Sequence, residues 1–348
     1  LLEKGVRLTP GSISSLKRRG FTRVAIQDEL LKEVEATDTI HEKTMQSAIR
    51  SLGAVASNIL SGTRGNIEPI RKALDSIIED VRDNPTVAIG LYSMCSFDET
   101  IYAHGINVCM LSIAIAEGMR LPESTVQQVG MGALLHDMGT VLIPKRILDK
   151  PTSLTDDEYS LVTTHPMKGF EMLQTCYDLG TVAAHAALDH HERLDGSGYP
   201  RGLKGDSIPL IGRIVAVADV YDAMVSARPQ RRGHLPESVR GYLQENRDKL
   251  FDGDAVDAML RRVAAYPIGT ILSLEGGVVA VVVRQDPRDT SRPVIRVVSG
   301  PGIKEIQDIA LCDRPDLAVN MILDDYPPET RRLVLAAIER ENDATDDC

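Results

Sequence analysis

The run HHERLDGSGYPRGLKGDSIP, His190 to Pro209, decides how the rest of the chain is read. Its glycines and prolines rule out a helix from Asp195 onward, so Asp195 to Pro209 must be a long loop. On both sides, from Pro85 to Tyr266, apolar residues recur with helical spacing almost throughout. A loop of that length inside a compact helical domain is more often functional than not. Two histidines, His190 and His191, stand at its head.

Working outward, Leu121-Pro122-Glu123 starts a helix with Pro in its first turn, and Thr155 with Glu158 forms a capping box. Towards the N-terminus, two amphipathic stretches run from Asp38 to Leu60 and from Ile67 to Val81, closed by Asn84-Pro85. They read equally as packing helices and as a dimerising stalk for a homodimer. The first residues form a small mixed unit: a helical stretch from Ser12 to Arg19, then a strand-like Thr22 to Ile26. After Tyr266 the period changes. Thr270 to Leu274, Val278 to Arg284 and Val294 to Val298 are β-branched runs of a small antiparallel β unit, followed by a helix from Pro328 to Arg340 and an acidic tail. The expected organisation is therefore 1–37, 38–83, 84–266 and 267–348, a mainly α chain whose catalytic part is all-helical.

Composition narrows the function. A net charge of −11 argues against binding a nucleic-acid duplex, which needs an excess of Lys and Arg. It leaves room for a small anion in a local pocket. No segment reaches the ~20 apolar residues of a membrane span; the longest, Val108 to Ala116, is broken by Ser112 and followed by Glu117 and Gly118. The chain opens on Leu1 instead of Met, which reads as a fragment boundary. Its five cysteines, Cys95, Cys109, Cys176, Cys312 and Cys348, show no CxxC spacing and read as reduced thiols of a cytoplasmic protein.

Five of the eight histidines, His104, His136, His165, His190 and His191, fall in the helical region together with Asp137 and Asp219. Imidazole with carboxylate suits Fe, Mn, Zn or Ni, and no thiolate is present to select zinc. Adjacent helical residues point about 100° apart, so one ion does not easily collect both side chains of His136-Asp137 or of His190-His191. Two ions roughly 3.5–4 Å apart can, with Asp137 between them. Such a pair suits phosphodiester hydrolysis by a bridging hydroxide, with no Ser, Cys or Lys nucleophile. His185, one and a half turns before the doublet, is read as a packing residue or one that backs the ligands, and His41 and His234 as ordinary core or surface residues.

At this point the residues resemble a family. His136-Asp137-Met138-Gly139 is similar to the signature of the HD superfamily of metal-dependent phosphohydrolases, and His190 to Pro200 resembles the defining motif of its HD-GYP branch. Thr164-His165-Pro166 with Gly169, Ile214 to Met224, Arg228-Pro229, Asp98-Glu99 and His104 also match. The resemblance implies an HD-type helical fold and a cyclic di-GMP phosphodiesterase giving pGpG and onward GMP. It implies two divalent ions, Fe or Mn in preference to Zn or Ni, held by His104, His136, Asp137, His165, His190, His191 and Asp219. His136 and Asp137 would be catalytic, with Asp137 bridging. Arg228 and Arg231 fall where the family holds substrate phosphate. The loop of Asp195, Gly196, Gly198, Tyr199 and Pro200 is where some members meet GGDEF-type diguanylate cyclase domains.

Three departures stand out. Thr140, placed on the substrate side, replaces the phosphate-holding lysine, and Gln230 replaces the tyrosine of RPYR. Thr100 stands where trinuclear members carry a glutamate, Glu99 being one residue off, so two ions are expected and not three. Thr140 and Gln230 also motivate a second reading: a weak or inactive receptor or adaptor that binds the cyclic dinucleotide, or a cyclase partner, without cleaving it. A third, an HD phosphohydrolase of mononucleotides, is disfavoured by the full GYP loop.

Overall fold

The structure is a computed structural model that describes residues 9–18, 39–84, 86–87, 100–148, 150, 152–177, 179–226, 234–302, 306–323 and 330. Its chain clusters into two compact units, one of Thr39–Val87 with Asp98–Val263, the other of Leu1–Asp38, Ala88–Phe97 and Ala264–Cys348. The strand expected at Thr22 to Ile26 and the helix expected from Pro328 lie outside the described residues, apart from Thr330. The N-terminal helix α1 spans Pro10–Arg18.

The first unit is helical throughout. Helices α2 (Glu42–Ser61) and α3 (Glu68–Asp83) bury Leu52, Val55, Ile59, Ile70, Leu74 and Ile77, each at most 2% exposed. Gly62 ends α2 with φ 65°, a left-handed cap in which the Gly62 and Thr63 amides donate to Ile59 and Asn58 carbonyls. Both helices pack on α4 (Thr100–Gly118), and α3 also on α5 (Glu123–Leu135). Their apolar faces are thus buried inside the unit. Pro122 stands at the N-cap of α5, one residue earlier than expected.

Helix α4 is the axis. Gly105 to Ala116 is buried without interruption, which is why its sequence shows no polar face. Around it come a 3-10 turn (Met138–Leu142), α6 (Lys145–Leu148), α7 (Asp156–Val162), α8 (His165–Tyr177), α9 (Thr181–Asp189), α10 (Leu210–Val225), α11 (Pro236–Glu245) and α12 (Gly253–Arg262). Thr155 and Glu158 make the expected capping box at α7. Gly139 and Gly169 lie in contact, and a Cβ at Gly139 would collide with the His165 carbonyl. That close approach seats the 136–140 turn on the start of α8. No helix among the described residues is long and apolar enough to cross a membrane.

The second unit carries a five-stranded antiparallel sheet of β1 (Ile271–Leu274), β2 (Val278–Arg284), β3 (Val294–Ser299), β4 (Gln307–Ala310) and β5 (Val319–Leu323), in the order β4-β3-β2-β1-β5. The β1–β2 turn needs positive φ at two successive positions, 75° at both Gly276 and Gly277. Leu272, Leu274, Ala280, Val282, Ile295 and Val297 fill one face, Val279, Val281 and Val298 the other. Strands β4 and β5 go beyond the three expected runs. Gln307-Asp308 and Asn320-Met321 are exposed, so neither strand shows the β-branched run that marks the inner three.

Candidate metal centre

Seven side chains from five helices and one turn converge. His104 comes from the middle of α4 and Asp219 from the middle of α10. His136 caps the C-terminus of α5, Asp137 follows in the turn, His165 opens α8, and His190 and His191 leave the C-terminus of α9. The doublets therefore sit at helix ends and not in mid-helix. At Asp137 the backbone has already left the helix (φ −100°, ψ 7°), and this turns its carboxylate inward between the imidazoles.

The two oxygens of Asp137 face different partners. Oδ1 lies 3.2 Å from His165 Nε2 and 3.8 Å from His190 Nε2; Oδ2 lies 3.9 Å from His136 Nε2 and 4.0 Å from His104 Nε2. Asp219 Oδ1 is 3.1 Å from His104 Nε2 and 4.0 Å from His136 Nε2, and its Oδ2 is 3.8 Å from His191 Nδ1. Ligand atoms of His104, His136 and Asp219 gather within 4.8 Å of one another, as do those of His165, His190 and His191. Asp137 stands between the two sets.

The rings are held from behind. Carbonyl oxygens only accept, so the Nδ1 atoms of His136, His165 and His190 donate to Ala133 (2.7 Å), Val162 (2.8 Å) and Ala186 (3.0 Å). Each Nε2 is left aimed at the centre. His136 Nε2 is buried with no hydrogen-bond partner, an arrangement that costs free energy unless something accepts its lone pair. His165 and His190 meet Nε2 to Nε2 at 3.3 Å, two lone pairs that only a cation, proton or metal, can reconcile. A divalent metal of borderline character fits this donor set of neutral imidazoles and carboxylates.

Electrostatics agree. Burial depresses His190 well below the ordinary imidazole value, with His191, His136 and His165 adding to it. Burial likewise lowers His136, and takes His191 down to about 4. Burial opposes ionisation of Asp137, but the surrounding imidazoles, His136 foremost, and the hydrogen bond from His165 outweigh it and hold the carboxyl well below its usual range. For His104 burial works against protonation, yet hydrogen bonds to Asp219 and Asp222 hold its pKa well above the ordinary value.

The loop is organised by its own polar groups. The buried Glu192 carboxylate accepts from the amides of Arg201 (2.8 Å) and Leu203 (2.9 Å), and Arg201 also reaches buried Asp189 at 2.5 Å. Arg193 donates to the carbonyls of His190 and Glu192, and Asp195 Oδ1 accepts from the Ser197 amide and hydroxyl. Gly196 has φ 83°; Gly198 is needed for a different reason, because a Cβ there would strike the His191 carbonyl and the Arg193 amide. Tyr199, followed by Pro200, lays its ring on His191, centroids 4.6 Å apart. Thr140 turns its hydroxyl to the Asp137 carbonyl at 2.6 Å, bracing the turn. Arg228 and Arg231, with Asp98 and Glu99, lie outside the described residues. His185 pairs with Asp189, the residue before His190, and meets the Phe170 ring, while His41 pairs with Asp80. Asn107 and Asp222, given no role from sequence, stand behind His104: Asp222 Oδ2 accepts from its Nδ1 at 2.6 Å. Asn107 signals itself only by an offset of three residues from His104 on α4, whereas Asp222 lies three residues after Asp219 within the Ile214 to Met224 run.

Five helices presenting imidazoles and carboxylates around one central aspartate make up the candidate metal centre, and residues 94–255 match the HD domain family model. That segment is an HD domain, and the His190 to Pro200 run within it resembles the HD-GYP branch. It is 38% identical over 225 residues to a cyclic di-GMP phosphodiesterase of Pseudomonas aeruginosa, covering 64% of this chain and 54% of that one. It is 48% identical over 148 residues to the cyclic di-GMP phosphodiesterase response regulator RpfG of Xanthomonas campestris pv. campestris, covering 42% and 39%. A cyclic di-GMP phosphodiesterase of Thermotoga maritima is 42% identical over 165 residues, covering 47% and 45%. The chain thus spans about half the length of these curated relatives or less.

Proposed function

We propose that this chain is a cyclic di-GMP phosphodiesterase, opening the ring to pGpG and then to GMP at two divalent ions, Fe or Mn in preference to Zn or Ni. The buried, unpartnered Nε2 of His136, at the heart of seven converging ligand atoms, is the observation that carries this reading. His104, His136 and Asp219 would hold one ion, His165, His190 and His191 the other, and Asp137 both. The names of the relatives support cyclic di-GMP as substrate.

When bound, the ions would acidify a water molecule, hold the phosphate oxygens and offset charge on the departing alkoxide. The protein's part is positional. Asp137 spans the two sets of imidazoles with separate oxygens. The carbonyls of Ala133, Val162 and Ala186 keep Nδ1 protonated and Nε2 free on three of the imidazoles. Thr140 steadies the Asp137 turn, and Arg228 and Arg231 would supply the phosphate-facing charge. The Asp195–Pro200 loop, stiffened through Glu192, is the proposed docking surface for a diguanylate cyclase domain, in the cytoplasm.

A non-hydrolysing receptor remains the competing reading, because the Thr140 hydroxyl proton is engaged with the Asp137 carbonyl and the position offers no cation to phosphate. Incubating Mn- or Fe-loaded protein under reducing conditions with cyclic di-GMP, cyclic GMP-AMP and simple nucleotides, and separating products by chromatography, distinguishes the two. Formation of pGpG is expected; binding of intact dinucleotide without turnover would establish the receptor.

A further inference from the structure

The two halves of the centre are not backed alike. His136, His165 and His190 lean on neutral backbone carbonyls, whereas His104 leans on a carboxylate: its Nδ1 donates to Asp222 Oδ2 at 2.6 Å. Asp222 is 1% exposed, and its other oxygen accepts from Asn107 Nδ2 at 2.9 Å and from the Ser226 hydroxyl at 3.3 Å. The carboxylate is therefore fixed in the interior, with its remaining acceptor directed at His104. A carboxylate behind a metal-binding imidazole fixes the ring and raises its basicity, and removing such a partner typically costs about 10–100-fold in metal affinity.

Charge is divided in the same way. The set of His104, His136 and Asp219 has the Asp219 carboxylate in front, 3.1 Å from His104, and Asp222 behind, while the set of His165, His190 and His191 is three imidazoles that Asp219 approaches only to 3.8 Å, at His191. Both share Asp137. A divalent ion in a buried site is stabilised by local negative charge, and the second set leaves more of that charge uncompensated.

We propose that the two metal positions are unequal: the His104–His136–Asp219 position loads first and holds its ion more tightly, and Asp222 is the positioning residue that sets the difference. The His165–His190–His191 position is then the exchangeable one, and the abundance of divalent metal in the cell decides whether the centre is complete. This rests on the two-metal reading above, but its readout is metal occupancy and not turnover.

The test is a stepwise addition of Mn2+ to the metal-stripped full chain, with free Mn2+ followed by electron paramagnetic resonance. The wild type should show two binding classes at least about tenfold apart. Asp222→Asn should weaken the tight class by about 10–100-fold and leave the weak class within about twofold. Asn107→Ala keeps the carboxylate but frees it, so it should weaken the same class severalfold. It also decides the matter if Asp222→Asn fails to fold by circular dichroism. Two equal classes in the wild type, or variants that weaken both classes alike or neither, overturn the proposal. Absence of any Mn2+ binding would remove the metal centre together with the ordering, whereas two equal ions remove the ordering alone.

Discussion

His165 and His190 face each other Nε2 to Nε2 at 3.3 Å while their Nδ1 atoms donate to the carbonyls of Val162 and Ala186. Neither ring can turn away without breaking the hydrogen bond of its Nδ1–H, so a cation must reconcile the two lone pairs. Without metal that cation is a proton, and it resides on His165, whose protonation burial disfavours but the hydrogen bond to Asp137 secures, whereas His190 is depressed by burial.

A divalent ion that replaces the proton stabilises the folded chain by mass action. At a free concentration a hundredfold above its Kd, Mn2+ should add about 2.7 kcal/mol, raising Tm by roughly 5–10 °C. Differential scanning fluorimetry with and without chelator measures this; an unchanged Tm contradicts it.

Asp137→Asn should fold normally, since the side chain is 22% exposed and its substitution creates no cavity. Loss of a group behind a ligand costs about 10–100-fold, and loss of the bridge itself at least about 100-fold in turnover. Retention of more than a tenth of wild-type activity would show that Asp137 does not join the ions.

Acid should destabilise the metal-free protein. The unfolded chain protonates His191 below about pH 6.5, but the folded chain resists until about 4, because burial disfavours the charged ring. Stability therefore falls as pH drops through that window, by on the order of 3 kcal/mol for this ring. The raised His104 does not mask the effect: its contribution is complete below pH 6.5 and is lost only as pH rises through its folded value. Asp137, held low, loses its contribution only below the ordinary carboxylate range. Urea unfolding across pH 6.5 to 4 should show the decline; a flat profile would contradict it.

Glu192→Gln should loosen the loop without touching the ligands. An amide nitrogen would face one of two backbone N–H groups now bound at 2.8 and 2.9 Å, costing about 1–3 kcal/mol. Faster limited proteolysis between Asp195 and Pro209 is the expected sign, with metal content unchanged.

Much of this arrangement was legible in the chain. All seven expected ligands meet, because HD, the His165 segment and the HHERLDGSGYP run occur in order with helical spacing between them. What could not be read depends on tertiary contacts. The doublets at helix ends follow from backbone angles at His136 and Asp137 that spacing does not encode. Asp222, though inside the Ile214 to Met224 run, and Asn107 show no link to His104 until α4 and α10 pack together. Strand β5 pairs with β1 across nearly fifty residues, and its alternation is too exposed to announce a strand.

The central claim, that these side chains grip a pair of ions, is tested most directly by elemental analysis of protein purified without oxygen. Two divalent ions per chain are expected, falling below one in a His165→Ala/His136→Ala double variant. A wild-type content below one ion per chain, or a content unchanged by the double substitution, would contradict it.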